Sequence, residues 1–272
     1  MPNSTRVKFD RPPVVEVACG VLFDLARPMR SAHVGLYWQA IRDAFPQLED
    51  VAPLSRVIES KGPGPTGMAL LGIGPLPPLR RTWFVSADGR NLIQVQGDRF
   101  LFNWKKARDQ DHYPSYDGVV ERFNGRLAEF LGFLDREGLG SPIYRQFELT
   151  YVNQIAIGQM PDGVAVRETT VLVDHVPEAR LNRFLPEPEA IDWTSVYPLP
   201  NDEGRLHATA RSGFSQLGTR VLHLELTARG IPSEPSEAMR QGWFDQAHCW
   251  ITRGFTDLTA PDIQKQVWKR TA

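Results

Sequence analysis

The side chains whose types and spacing could do chemistry lie first in one short loop, Arg108-Asp109-Gln110-Asp111-His112-Tyr113, which sets an imidazole between carboxylates and a phenol just ahead of a helix. Such groups could supply a general acid or base, or a single metal ligand. Neighbouring residues do not converge on one point without a special turn, so Asp111 and His112 fall short of a metal signature and a solvated acidic loop is the favoured reading. His207 and His223 form a second set, on the two strands of one hairpin, where they could meet across it beside Glu225. The competing reading is the wet face of an antiparallel sheet. His248 follows Asp245 by one helical turn and falls in an apolar stripe, as a core histidine would. Asn153 interrupts the apolar face of a strand over residues 147–157. Burying an unpaired amide costs about 1 to 3 kcal/mol, so Asn153 either fixes register or faces a pocket. Lys105 and Lys106 follow Phe100, Phe102 and Trp104, a combination that could stack on and neutralise a nucleic-acid strand, although aromatics at period two more often belong to a core.

No strong enzymatic motif joins these groups. The chain has no Walker-type loop, no Gly-x-Gly-x-x-Gly, no Gly-x-Ser-x-Gly, no His-Glu-x-x-His and no Cys-x-x-Cys. Gly62-Pro-Gly-Pro-Thr-Gly67 has glycines without the following lysine, and reads as a loop. Cys19 and Cys249 stand far apart in sequence and read as buried small hydrophobes, so neither a metal nor another cofactor is expected. A formal charge of −1 gives no general drive toward phosphate polymers. With 272 residues, 42% of them hydrophobic, the chain can bury a substantial core. It has no apolar run long enough to cross a bilayer and no leader pattern, so a cytoplasmic protein without a membrane partner is expected.

The elements that must position these residues follow from periodicity. Val15, Val17, Cys19, Val21 and Phe23 alternate with more polar neighbours, which predicts a strand. Ser31 is expected to cap a helix carrying Val34, Tyr37, Ile41 and Phe45. A three-stranded meander is expected over residues 82–105, turning at Asp88-Gly89 and Gly97-Asp98, with Phe100, Phe102 and Trp104 on one face and Leu101, Asn103 and Lys105 on the other. A long helix over 116–138 ends at Gly138, and a hairpin over 206–228 precedes a second long helix over 237–258. Thr259 is expected to cap a terminal helix. Residues 62–79 read as a proline- and glycine-rich flap around Met68 to Ile73, while 169–174 and 179–184 could be a strand and a helical turn.

This order suggests an α+β fold of two similar halves, residues 1–140 and 141–272, each an antiparallel sheet backed by a long helix and packed together as one body. The order strand, helix, strands, helix is similar to the duplicated saddle of TATA-binding-protein-like folds. Phe123-Asn124 and Phe244-Asp245 stand at matching places in the two long helices.

Four segments carry a closer resemblance: Arg11-Pro-Pro-Val-Val-Glu16, Phe102-Asn103-Trp104-Lys105, Glu148-Leu149-Thr150-Tyr151-Val152-Asn153 and Phe244-Asp245-Gln-Ala-His248. With them the chain resembles a sporadically distributed family of uncharacterised bacterial proteins of about this length. The resemblance implies a bacterial origin, with a possible link to defence, toxin control or mobile elements, and no catalytic residue. The leading expectation is a non-catalytic binding protein whose sheet or flap holds a protein partner or a second copy. The alternatives are a hydrolase or nucleic-acid-processing enzyme with a site between the halves, and a nucleic-acid-binding protein, which the charge disfavours.

Overall fold

The computed structural model describes residues 7–59, 79–159, 163–167, 171–172, 184, 188–215, 217–230 and 237–271. The expected flap around Met68 to Ile73 lies outside these residues, as does most of 169–174 and 179–184.

The first strand, β1 (Val14–Asp24), alternates apolar and smaller or polar side chains, and the apolar set is buried. Helix α1 (Ser31–Ile41) starts at Ser31, so Arg30 and not Ser31 is its cap residue. Four strands follow: β2 (Gln47–Val51), β3 (Arg81–Val85), β4 (Asn91–Gln96) and β5 (Arg99–Lys105). At the β3–β4 turn, Asp88 accepts hydrogen bonds from Ser86 Oγ and Arg90, which hold its carboxyl well below the usual range, at about 2. Helix α2 (Tyr116–Arg136) buries Phe123, Leu127, Phe130 and Leu134 at helical spacing. It ends where Gly138 takes φ +64°.

The second part opens with β6 (Ile143–Ala156), followed by the short pair β7 (Gly158–Gln159) and β8 (Ala165–Val166). Then come β9 (Asp192–Pro198), the hairpin β10 (Gly204–Phe214) and β11 (Arg220–Gly230), and helices α3 (Glu237–Leu258) and α4 (Pro261–Gln266). Thr259 does not cap α4; its hydroxyl donates back to Phe255 O, and Ala260 is the cap residue.

The expected pair of helix-backed halves is corrected by the sheet. Nine strands form one antiparallel sheet in the order β2-β3-β4-β5-β1-β6-β11-β10-β9, and the molecule is mostly this sheet rather than a duplicated α+β unit. The physical cause is the pairing of β1 with β6, in register from Val17↔Tyr151 to Leu22↔Gln146, which runs the hydrogen-bonded ladder straight across residue 140. A ladder shared in this way leaves neither half with a sheet of its own, and buried apolar residues of both halves share one cluster.

Register sorts every side chain onto one of two faces. Val17, Cys19, Val21, Phe100, Phe147 and Leu149 share the core face, where Phe130 of α2 stacks on Phe100 and Phe244 of α3 stacks on Phe147. Phe123 and Phe244 meet at 5.2 Å between ring centroids, joining α2 to α3 over the seam. Lys105, Asn103, Gln94, Glu148, Arg229 and His207 occupy the other face.

Candidate functional site

A cleft of about 700 Å³ opens where the core face runs out past the N-terminal end of α2. Its floor is the end of β6, its walls are residues 106–117 and the middle of α3, and the arm of residues 7–13 forms its roof. The arm is tied down by the C-terminal residues: Asp10 N donates to Lys269 O, Arg11 N to Trp268 O, and Thr271 N to Lys8 O. Phe9 packs edge-on against Phe255 and Trp268.

Tyr151 and Asn153 alternate onto the core face of β6 and so emerge at the cleft floor. The Tyr151 and Tyr113 hydroxyls lie 2.7 Å apart. Burial pushes both phenols up, so both carry their protons near neutrality. Two phenols joined by one hydrogen bond leave one O–H free to donate elsewhere. Asn153 is 3% exposed; its Nδ2 donates to Leu224 O at 3.0 Å, and its Oδ1 accepts no hydrogen bond from the described residues. The ring of Tyr116 stacks flat on His248, with centroids 4.0 Å apart and planes at 10°. Tyr116 Oη donates to Asp245 Oδ1. His248 is therefore a wall of the cleft rather than the core histidine expected, and Asp245 serves Tyr116.

Of the residues singled out by sequence, Asp111 and His112 stand at the cleft rim. Asp111 Oδ2 accepts from the backbone N–H groups of Ala107 and Arg108 and so shapes its own loop, while His112 is exposed. His207 and His223 lie on the opposite face of the sheet, away from the cleft. They do not face each other, because His207 pairs with Thr227 and His223 with Arg211. The carboxylate on His207 is Glu59, at 2.6 Å, and not Glu225. Burial disfavours the Glu59 charge, but hydrogen bonds and charges from His207 and Arg205 outweigh it and hold the carboxyl below its usual range. Lys105 lies on the same polar face, 5.7 Å from the Trp83 ring, separated from the buried Phe100, Phe102 and Trp104. Cys19 is fully buried, which pushes its thiol far up and removes it as a nucleophile.

Sequence reasoning included Tyr113 in the candidate loop but missed Tyr116 and Tyr151 as site residues. The signal available was the alternation that places Tyr151 beside Asn153 on one face; the partners on the loop and helix come from tertiary contacts. Among the described residues no cluster of His, Cys, Asp and Glu is arranged to hold a metal ion. No described helix is long and apolar enough to cross a membrane.

No protein-family model matches this chain, and no curated protein matches it. Arg11, Tyr151, Asn153 and His248 line the cleft, while Asn103 Nδ2 of β5 donates to Glu16 Oε1 of β1 at 2.5 Å on the polar face of the sheet.

Proposed function

We propose that this protein is a non-catalytic binding protein that takes a small organic molecule into the cleft beneath its N-terminal arm. The observation that carries the reading is Asn153. Its amide oxygen, left unpaired by the described residues, opens into the cleft, where a ligand N–H or O–H seated on the floor would donate to it in place of water. The free phenolic O–H of the Tyr113–Tyr151 pair supplies a donor beside this acceptor, and Phe9, Tyr116, His248 and Phe255 provide apolar and aromatic surface around them. A volume of about 700 Å³ with mainly apolar walls and a few convergent polar groups has the proportions of a small-molecule site. Lys8, Arg11 and Lys106 at the rim are balanced by Asp10, Asp109, Asp111 and Asp117, which favours an uncharged or zwitterionic ligand over a polyanion.

Binding fits these groups better than catalysis. Tyrosines held protonated are poor bases, and His112 has no described acceptor or donor orienting it. Ligand-observed NMR against a library of small polar aromatics tests the reading. Hits should bind the native protein and lose at least tenfold in affinity in Asn153→Leu; affinity unchanged by that substitution would defeat it.

A further inference from the structure

We infer that the polar face of the sheet is a channel for an extended peptide, and that the chain's own residues 54–59 occupy it. The inference is independent of the cleft. Two glutamine side chains, one on each side of the β1–β6 seam, grip the main chain of this segment. Gln96 Oε1 accepts from Leu54 N at 2.9 Å while its Nε2 donates to Leu54 O at 3.0 Å. Gln146 repeats the arrangement, accepting from Glu59 N at 2.8 Å and donating to Val57 O at 3.0 Å. Both glutamines are buried, at 7% and 1% exposure. Arg99 adds a donor to Ser55 O at 3.3 Å.

The geometry requires an extended segment. From β4, which carries Gln96, to β6, which carries Gln146, are three interstrand steps, or about 14 Å at about 4.8 Å each. The five steps from Leu54 to Glu59 reach about 16 Å at about 3.3 Å per residue, so they cover that distance only when nearly straight. The segment therefore crosses the strands as a stretched chain, held through backbone groups that any sequence would present. Specificity comes from two charged anchors three residues apart. Arg56 pairs with Asp24 at 2.7 Å, and Glu59 is received by Arg205 at 3.1 Å and His207 at 2.6 Å.

Such a contact is built to be exchangeable. Residues 52–55 are exposed, the segment belongs to no helix or strand, and its hold is polar rather than a buried apolar anchor. Segments of that kind open at low free-energy cost. A peptide from a partner protein with a basic residue and, three positions on, an acidic one would meet the same clamps and anchors. The internal segment competes with it at an effective concentration on the order of millimolar.

The test uses a fluorescein-labelled peptide copying residues 51–59 and the full-length protein. In the double variant Arg56→Ala/Glu59→Gln, shown to be folded by circular dichroism, the peptide should bind at least tenfold more tightly than to the native protein. Adding Gln146→Ala should abolish that binding, and a peptide with the two charges exchanged should not bind. Equal, weak binding to the native protein and the double variant would overturn the proposal, as would indifference to Gln146→Ala. Hydrogen exchange on the native protein covers the case in which the variant does not fold. Millimolar peptide should speed exchange at the Leu54 and Glu59 amides, and unchanged exchange there would equally overturn it.

Discussion

At the residue scale, the buried polar groups divide into those that are paired and those that are not. Tyr37 is 1% exposed among Phe84, Phe130 and Phe133, and its hydroxyl has no hydrogen-bond partner among the described residues. Tyr37→Phe removes an unsatisfied group and leaves the packing, so it should hold stability constant or raise it by up to about 1 kcal/mol, read from urea melts. A loss of 2 kcal/mol or more would reveal a partner for that hydroxyl. Glu59 is the opposite case, since its carboxyl is held below its usual range by His207 and Arg205. A carboxylate whose folded pKa is depressed adds stability that is complete above its unfolded pKa and fades as pH falls through the folded one. Glu59→Gln should therefore cost about 2 kcal/mol at pH 7, the scale of hydrogen bonds to a charged group. That gap to the native protein should close in melts below the ordinary carboxylate range. A gap independent of pH would show that the charge of Glu59 is not what holds residues 54–59.

At the element scale, strands with a clean period of two were legible and edge strands were not. β1, the meander β3 to β5 and the β10–β11 hairpin announce themselves because one face is mostly apolar. β2 reads Gln-Leu-Glu-Asp-Val, exposed along most of its length, so burial left no alternation to find. β9 does alternate, with Trp193, Ser195 and Tyr197 on one side, but it follows a proline- and acid-rich stretch that masks the pattern. The hairpin carries one requirement beyond pattern. Gly204 and Gly230 pair directly, and a Cβ at Gly230 would fall on the Glu203 carbonyl and the Gly204 backbone. Gly230→Ala should destabilise by about 3 kcal/mol or more, because backbone and not a flexible side chain must move. A thermal melt within a degree of the native protein would show that the strands separate there at little cost.

For the whole molecule, the matched segments of the sequence were visible while their joining was not. Periodicity reports which face of a strand is buried but not which strand lies beside it, so nothing in Val14–Asp24 or Ile143–Ala156 declares that they pair. The same limit explains the sites. His207 could be placed on a sheet face from sequence, but its partner Glu59 lies 148 positions away. Because β1–β6 and Phe123–Phe244 tie all nine strands and both long helices into one core, unfolding should be a single cooperative transition. Phe244→Ala should lower stability by about 3 to 5 kcal/mol and keep one transition in calorimetry. Two resolved transitions would mean that the seam is weaker than its ladder implies.

The central claim is that the cleft beneath the arm is the binding site, and mapping a bound ligand by NMR tests it most directly. With backbone amides assigned, titration of a fragment hit should shift Tyr113, Tyr151, Asn153 and His248 together along one saturable curve. The amides of the polar face at Gln96, Gln146 and His207 should stay still. Shifts concentrated on that opposite face, or scattered without saturation, would contradict the account.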